Sequence, residues 1–124
     1  MIDPDREIQE MAKAEANDCL DRIERSLLAL ESGAADPDTL DAAFRDAHSI
    51  KGTAGMVGWQ EISSIAHAME DRLADCRDTG EFPPELADPL LSATDALRRA
   101  VAGEPVAVAA VIPKSLARSA TGTT

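Results

Sequence analysis

His48 and Lys51 stand three residues apart, and Gly52 and Gly55 follow the histidine at four and seven residues. On a helix these offsets share one face. The imidazole would then occupy a shallow notch, with a cation beside it and no bulk over it. A packing histidine would be flanked by large apolar residues, and a metal-bound one by further ligands close at hand. The pattern suits a ring that another protein must reach and that must carry an anionic group. Two glycines inside a helix lower its propensity, so they argue for a surface kept clear. Gly52, Thr53 and Gly55 are the expected docking residues.

The second half of the constellation is His67 with Glu70 three residues later. The link at Gly58-Trp59 is very short, so the helices on either side must be antiparallel neighbours. His48 lies ten residues before Gly58 and Glu70 twelve after it. The two therefore come to about the same height, and Glu70 can reach the His48 ring. His67, one turn nearer the hairpin, is expected close to Lys51. A carboxylate that accepts from Nδ1–H fixes the tautomer and strengthens Nε2 as a lone-pair donor. Nε2 facing solvent is a nucleophile towards phosphorus. Phosphoryl transfer needs in-line placement and charge stabilisation more than covalent machinery, and Lys51 offers a cation to phosphoryl oxygens. The expected catalytic set is His48, Glu70, Lys51 and His67, with His48 the phosphorylation site. Two other classes stay open. His48, His67 and Glu70 could converge on a divalent metal, although no ligand pair has i, i+4 spacing and Lys51 would repel the ion. The chain could also be a non-catalytic helical adaptor.

The elements that must position these residues read as helices. Ile8, Met11, Ala12, Ala16, Cys19, Leu20, Ile23, Leu27 and Leu30 recur at spacings of three and four between Asp5 and Glu31, which predicts one long amphipathic helix. It could be broken near Asn17-Asp18. Gly33 stops it. Asp36-Pro37 pairs an N-cap with proline at the first helical position and opens a second helix. That helix buries Leu40, Ala43, Phe44, Ala47 and Ile50, runs through Ala54, and is ended by Gly55 and Gly58. A third helix, from about Gln60 to Arg77, carries Ile62, Ile65, Ala66, Met69, Leu73 and Cys76, and Thr79-Gly80 ends it. A fourth begins near Pro84 or at Asp88-Pro89, carries Leu86, Leu90, Leu91, Leu97 and Val101, and closes at Gly103. Trp59 is expected to pack at the hairpin tip. Four amphipathic helices with short links give an all-α, antiparallel up-down-up-down bundle over residues 1–103. Residues 104–124, rich in Ala, Val, Ser, Thr and Pro, read as a flexible linker or tail with more protein following.

Composition agrees and excludes. The 124 residues suffice for one domain with a modest core, and alanine and leucine outweigh the three aromatics. A net charge of −11 argues against nucleic acid and against an anionic membrane surface; it reads first as a solvated acidic surface, with a match to a basic partner surface as the alternative. No apolar run could span a bilayer, so no membrane insertion is expected. No signal-peptide pattern is present, and Met1-Ile2-Asp3-Pro4 reads as a cytoplasmic start. Cys19 and Cys76 fit no metal or redox spacing and fall on apolar faces, so they read as buried free thiols. No glycine-rich nucleotide loop and no acidic cluster for Mg²⁺ is present, so the chain is not a complete kinase. No cofactor is expected to bind.

Ala47-His48-Ser49-Ile50-Lys51-Gly52-Thr53-Ala54-Gly55 through Gly58 resembles the signature of histidine phosphotransfer (HPt) domains. Phe44-Arg45-Asp46-Ala47-His48-Ser49-Ile50-Lys51-Gly52 and His67-Ala68-Met69-Glu70-Asp71-Arg72-Leu73 are similar, more narrowly, to the N-terminal phosphotransfer domain of CheA-type chemotaxis sensor kinases. The likeness covers roughly residues 5–102. It implies that His48 is phosphorylated at Nε2 by the ATP-binding domain of a histidine kinase. The phosphoryl group then passes to an aspartate of response-regulator receiver domains. It also implies that Glu70 hydrogen-bonds the ring, that Lys51 and His67 complete the network, and that Mg-ATP is used by the partner kinase. Whether the chain is the phospho-accepting domain of a kinase or a stand-alone relay is open. Trp59, where a phenylalanine or other apolar residue is usual, and Thr53 and Met56 depart from the pattern. None touches the network, and they bear on which receiver docks.

Overall fold

The computed structural model describes residues 3–33 and 36–107. Helix α1 spans Pro4–Glu31, α2 Pro37–Val57, α3 Gln60–Thr79 and α4 Ala87–Val101, the last preceded by a 3-10 turn at Pro84–Leu86. Each helix packs on its neighbours in sequence, and α1 closes the ring against α4. This is the expected up-down-up-down bundle, with no strand among the described residues.

Asp-Pro pairs start the first two helices. Asp3 caps α1, its Oδ1 accepting from the backbone N–H of Asp5 at 3.1 Å and of Arg6 at 3.4 Å, and Pro4 is the first helical residue. The same dipeptide opens α2, where the Asp36 side chain accepts from Thr39 Oγ1 at 3.2 Å instead of capping the backbone. Of the two starts foreseen for the fourth helix, the one near Pro84 is where helical backbone begins; α4 itself begins at Ala87, with Leu86 and not Asp88 at its N-cap. Pro84 opens the 3-10 turn, and Asp88-Pro89 falls in the first turn of α4.

The core is aliphatic. Leu20, Ile23, Leu27, Leu40, Ile50, Ile65, Met69, Leu73, Leu90 and Leu97 are fully buried, each stabilising by about 1.5–3 kcal/mol through the apolar surface it removes from water. Buried Thr94 turns its hydroxyl back to the carbonyl of Leu90 at 2.9 Å and leaves no polar atom unpaired. Cys19 and Cys76 are free thiols within this core. Burial pushes both thiols up from their ordinary range.

Four sequence expectations need correction. Helix α1 is unbroken at Asn17-Asp18; both face water, while Ala16, Cys19 and Leu20 on either side are buried and hold the turn by packing. Gly55 does not end α2, which continues to Val57 because Ala54 is anchored in the core. The helix stops at Gly58, whose φ of 81° is left-handed, and there Trp59 N–H bonds the carbonyl of Ala54 at 2.8 Å. Ile8 and Met11 are exposed, at 52% and 72%, since the first turns of α1 reach the end of the bundle, where Gln9 Nε2 meets the carbonyl of Val57 at 3.4 Å. Beyond α4, residues 104–107 are irregular, yet Val106 packs on the core. The rest of the expected linker, from 108 to 124, lies outside the described residues.

Candidate functional site

The site lies between α2 and α3, which form the hairpin whose tip is Gly58-Trp59. Trp59 fixes this tip to α1. Its ring is half-buried against the core, and its Nε1–H donates to Gln9 Oε1 at 2.8 Å. The composition gave no signal for Gln9, because an exposed glutamine in a first helix is indistinguishable from any other.

Two turns back from the tip, Ala47 and Ile50 are buried and set the rotation of α2. That rotation puts His48 outward, its side chain 61% exposed. On α3 the buried pair Ala66 and Met69 sets the rotation, and Glu70 faces α2 with a side chain only 9% exposed. The Glu70 carboxylate bridges two groups of α2. Oε2 meets His48 Nδ1, and Oε1 holds the Lys51 ammonium at 2.6 Å. Burial pushes the Glu70 carboxyl up, but the hydrogen bonds and charges of Lys51 and His48 outweigh it and hold the group below the ordinary carboxyl range. Glu70 is therefore ionised near neutral pH and can only accept. The shared proton then belongs to His48 Nδ1, and in the neutral ring Nε2 keeps its lone pair. The arrangement gives an oriented imidazole nucleophile, with a fixed anion behind it and a cation within reach.

The hairpin count thus brings His48, Lys51 and Glu70 together. His67 does not join them. It is exposed and turned to Asp71 on its own helix, Nε2 to Oδ2 at 3.6 Å. Glu70 holds the Lys51 ammonium, while Asp71 at i+4 supplies His67 with a local carboxylate. With His67 turned away, the alternative metal set is not assembled, and no group of three or more His, Cys, Asp or Glu among the described residues could hold a metal ion.

Gly52 and Gly55 are exposed on the same face of α2 as His48, and Thr53, half-buried, lies on its flank. A Cβ built on Gly52 or Gly55 would meet nothing within 4 Å, so no contact among the described residues requires either glycine. Met56, one turn beyond Gly52, is 79% exposed and extends this face as an apolar surface. Its i+8 spacing from His48 was the signal that could have placed it there. Phe44, assigned to the core, is half-buried, and its ring stacks on His48 with centroids 6.1 Å apart and 18° between planes. The Arg77 guanidinium of α3 lies over that phenyl ring, 4.1 Å from its centroid. The Phe44–His48 i, i+4 spacing could have shown the stack, but nothing in the sequence singled out Arg77.

Residues 7–102 match the family model of the Hpt domain. The chain is 41% identical over 78 residues to the chemotaxis protein CheA of Rhizobium meliloti, covering 63% of this chain and 10% of that protein. To the CheA of Borreliella burgdorferi it is 33% identical over 89 residues, 71% of this chain and 10% of that one. The chain thus spans about a tenth of the length of these curated relatives. Among solved structures it is similar to the phosphorylated P1 domain of CheA3 from R. sphaeroides in complex with CheY6, at 30% identity and a TM-score of 0.76, covering 89% of this chain and 92% of that one.

Proposed function

This chain belongs to the Hpt domain family, and on that premise we propose that it is the phospho-accepting and phospho-donating module of a chemotaxis-type two-component pathway, with His48 as the carrier. The observation that carries the reading is the Glu70 bridge, one buried carboxylate holding both His48 Nδ1 and Lys51 Nζ while the imidazole stays exposed. The relatives support the partners. The CheA3 P1 domain is phosphorylated and complexed with CheY6, and the chain is 41% and 33% identical to two CheA proteins over 78 and 89 residues.

In the forward step, the Nε2 lone pair attacks the γ-phosphorus of Mg-ATP held by a CheA-type kinase domain. The N–P bond forms as the P–O bond to ADP breaks, and the electron pair leaves on the ADP oxygen. Positive charge develops on the ring, and the Glu70 carboxylate at Nδ1–H stabilises it. Lys51 has three N–H donors; Glu70 uses one, and the rest are available to phosphoryl oxygens. In the second step, a receiver aspartate oxygen attacks the same phosphorus. The N–P bond breaks, and its electron pair returns to Nε2. Gly52 and Gly55 keep α2 low enough for either partner to reach the ring, and Thr53 and Met56 border the docking face. In this reading ATP and Mg²⁺ are held by the kinase domain. A kinase core and receivers as partners favour a cytoplasmic location.

The test is kinetic. The chain is incubated with a CheA-type kinase core and Mg-ATP, freed of nucleotide, and mixed with a receiver domain. Acid-labile phosphoryl on the chain that drains to the receiver is expected. A chain that stays unmodified beside an active kinase core would overturn the reading.

A further inference from the structure

The Glu70 hydrogen bond holds the His48 ring at one point, Nδ1. A ring held at one point can still swing about that contact, and its opposite nitrogen swings furthest. Phe44 supplies the second restraint. Helical side chains lean towards the N-terminal turn, so the imidazole leans towards i−4, which is Phe44. The two rings are near-parallel, 18° apart, with centroids at 6.1 Å, an offset stack within the attractive range for aromatic pairs. On the opposite side, at i+4, stands Gly52 with no side chain. The imidazole thus has a wall behind it and open space before it.

The wall is itself braced. Arg77 places its guanidinium 4.1 Å from the centre of the Phe44 ring, and its Nη1 lies 3.9 Å from Asp41 Oδ1 on α2. The phenyl ring also packs against the core. Phe44 has no atom that could take or give a proton in the transfer.

We propose that Phe44 is a positioning residue for phosphoryl transfer, its ring confining the His48 imidazole so that Nε2 points out of the notch, with Arg77 keeping the phenyl ring in place. The proposal rests on His48 being the phosphoryl carrier. Phe44 acts on the fraction of time Nε2 spends in line with phosphorus, and so on the rate within the complex. It does not act on partner affinity or on the Nδ1 tautomer.

The test compares wild type with Phe44→Leu, which keeps apolar bulk in the same place, and Phe44→Tyr, which keeps the ring. Single-turnover phosphorylation by a CheA-type kinase core is expected to slow about three- to tenfold in Phe44→Leu, the size of an aromatic pair converted to a rate, at unchanged half-saturation. Phe44→Tyr should recover the wild-type rate. Proton NMR should show the His48 ring protons losing their ring-current shift in Phe44→Leu, while the Nδ1–H tautomer persists in both variants. A Phe44→Leu chain that melts like wild type and is phosphorylated at the wild-type rate would overturn the proposal. So would Phe44→Tyr failing to recover the rate. A wild-type chain that takes up no phosphoryl would fail the carrier reading instead, and the NMR shifts would then test the stack by themselves.

Discussion

At the scale of single residues, the chemistry turns on Glu70. It is nearly buried, ionised, and shared by two donors of α2. Glu70→Ala should slow phosphorylation about 10- to 100-fold, the cost typical of losing the hydrogen-bond partner that orients a metal-bound histidine, and Lys51→Ala should slow it less. Single-turnover kinetics read both, and unchanged rates would remove these residues from the site. The pH dependence has a definite sign. The Glu70 carboxyl lies below its ordinary range in the folded chain because hydrogen bonds and charge from Lys51 and His48 overcome the cost of burial. Its stabilising contribution is therefore complete above the ordinary carboxyl range and is lost as pH falls through the depressed value. Glu70→Gln should flatten that acid limb in denaturant melts taken at successive pH values; an unaltered limb would contradict the assignment. His48, Lys51 and Glu70 were legible in the sequence because a short hairpin converts residue counts into heights. The Asp71 partner of His67 was not legible, for the opposite reason. Its neighbour is chosen by competition between two carboxylates one residue apart, and spacing does not decide that.

At the scale of elements, α2 carries the functional cost. Gly52 is exposed in mid-helix with open space where a Cβ would stand. Gly52→Ala should therefore raise stability by about 0.5–1 kcal/mol while slowing phosphorylation or transfer to a receiver. Chemical denaturation and single-turnover transfer check the two halves separately. A variant that is both stabler and equally fast would show that the glycine is not kept for a partner. The helix itself, its Asp-Pro start and its apolar stripe were readable, because caps and periodicity are local. Its end was not. Gly55 looks like a stop, but buried Ala54 carries the helix past it, and the left-handed turn waits for Gly58. Ile8 and Met11 misled for a similar reason, since helical periodicity does not report where the neighbouring helices run out.

At the scale of the whole molecule, the bundle is strongly acidic. Its net charge of −11 suits a basic partner face and makes association sensitive to salt. Phosphorylation adds further negative charge, which Lys51 offsets locally, so far-ultraviolet circular dichroism should be unchanged on phosphorylation; a large loss of helicity would contradict this. The core protects its thiols. Cys19 and Cys76 are buried and shifted upward, so they should react with a disulfide reagent only as fast as the bundle opens, and rapid labelling of the native chain would contradict the packing described. The central claim is that one histidine of two carries the phosphoryl group, and site mapping tests it most directly. Wild type and His48→Gln are treated with a CheA-type kinase core and Mg-ATP, then analysed by peptide mass spectrometry under conditions that preserve phosphohistidine. One phosphoryl group on His48, absent from a folded His48→Gln, is the predicted result. Phosphoryl on His67, or on a histidine of the folded His48→Gln chain, would contradict it.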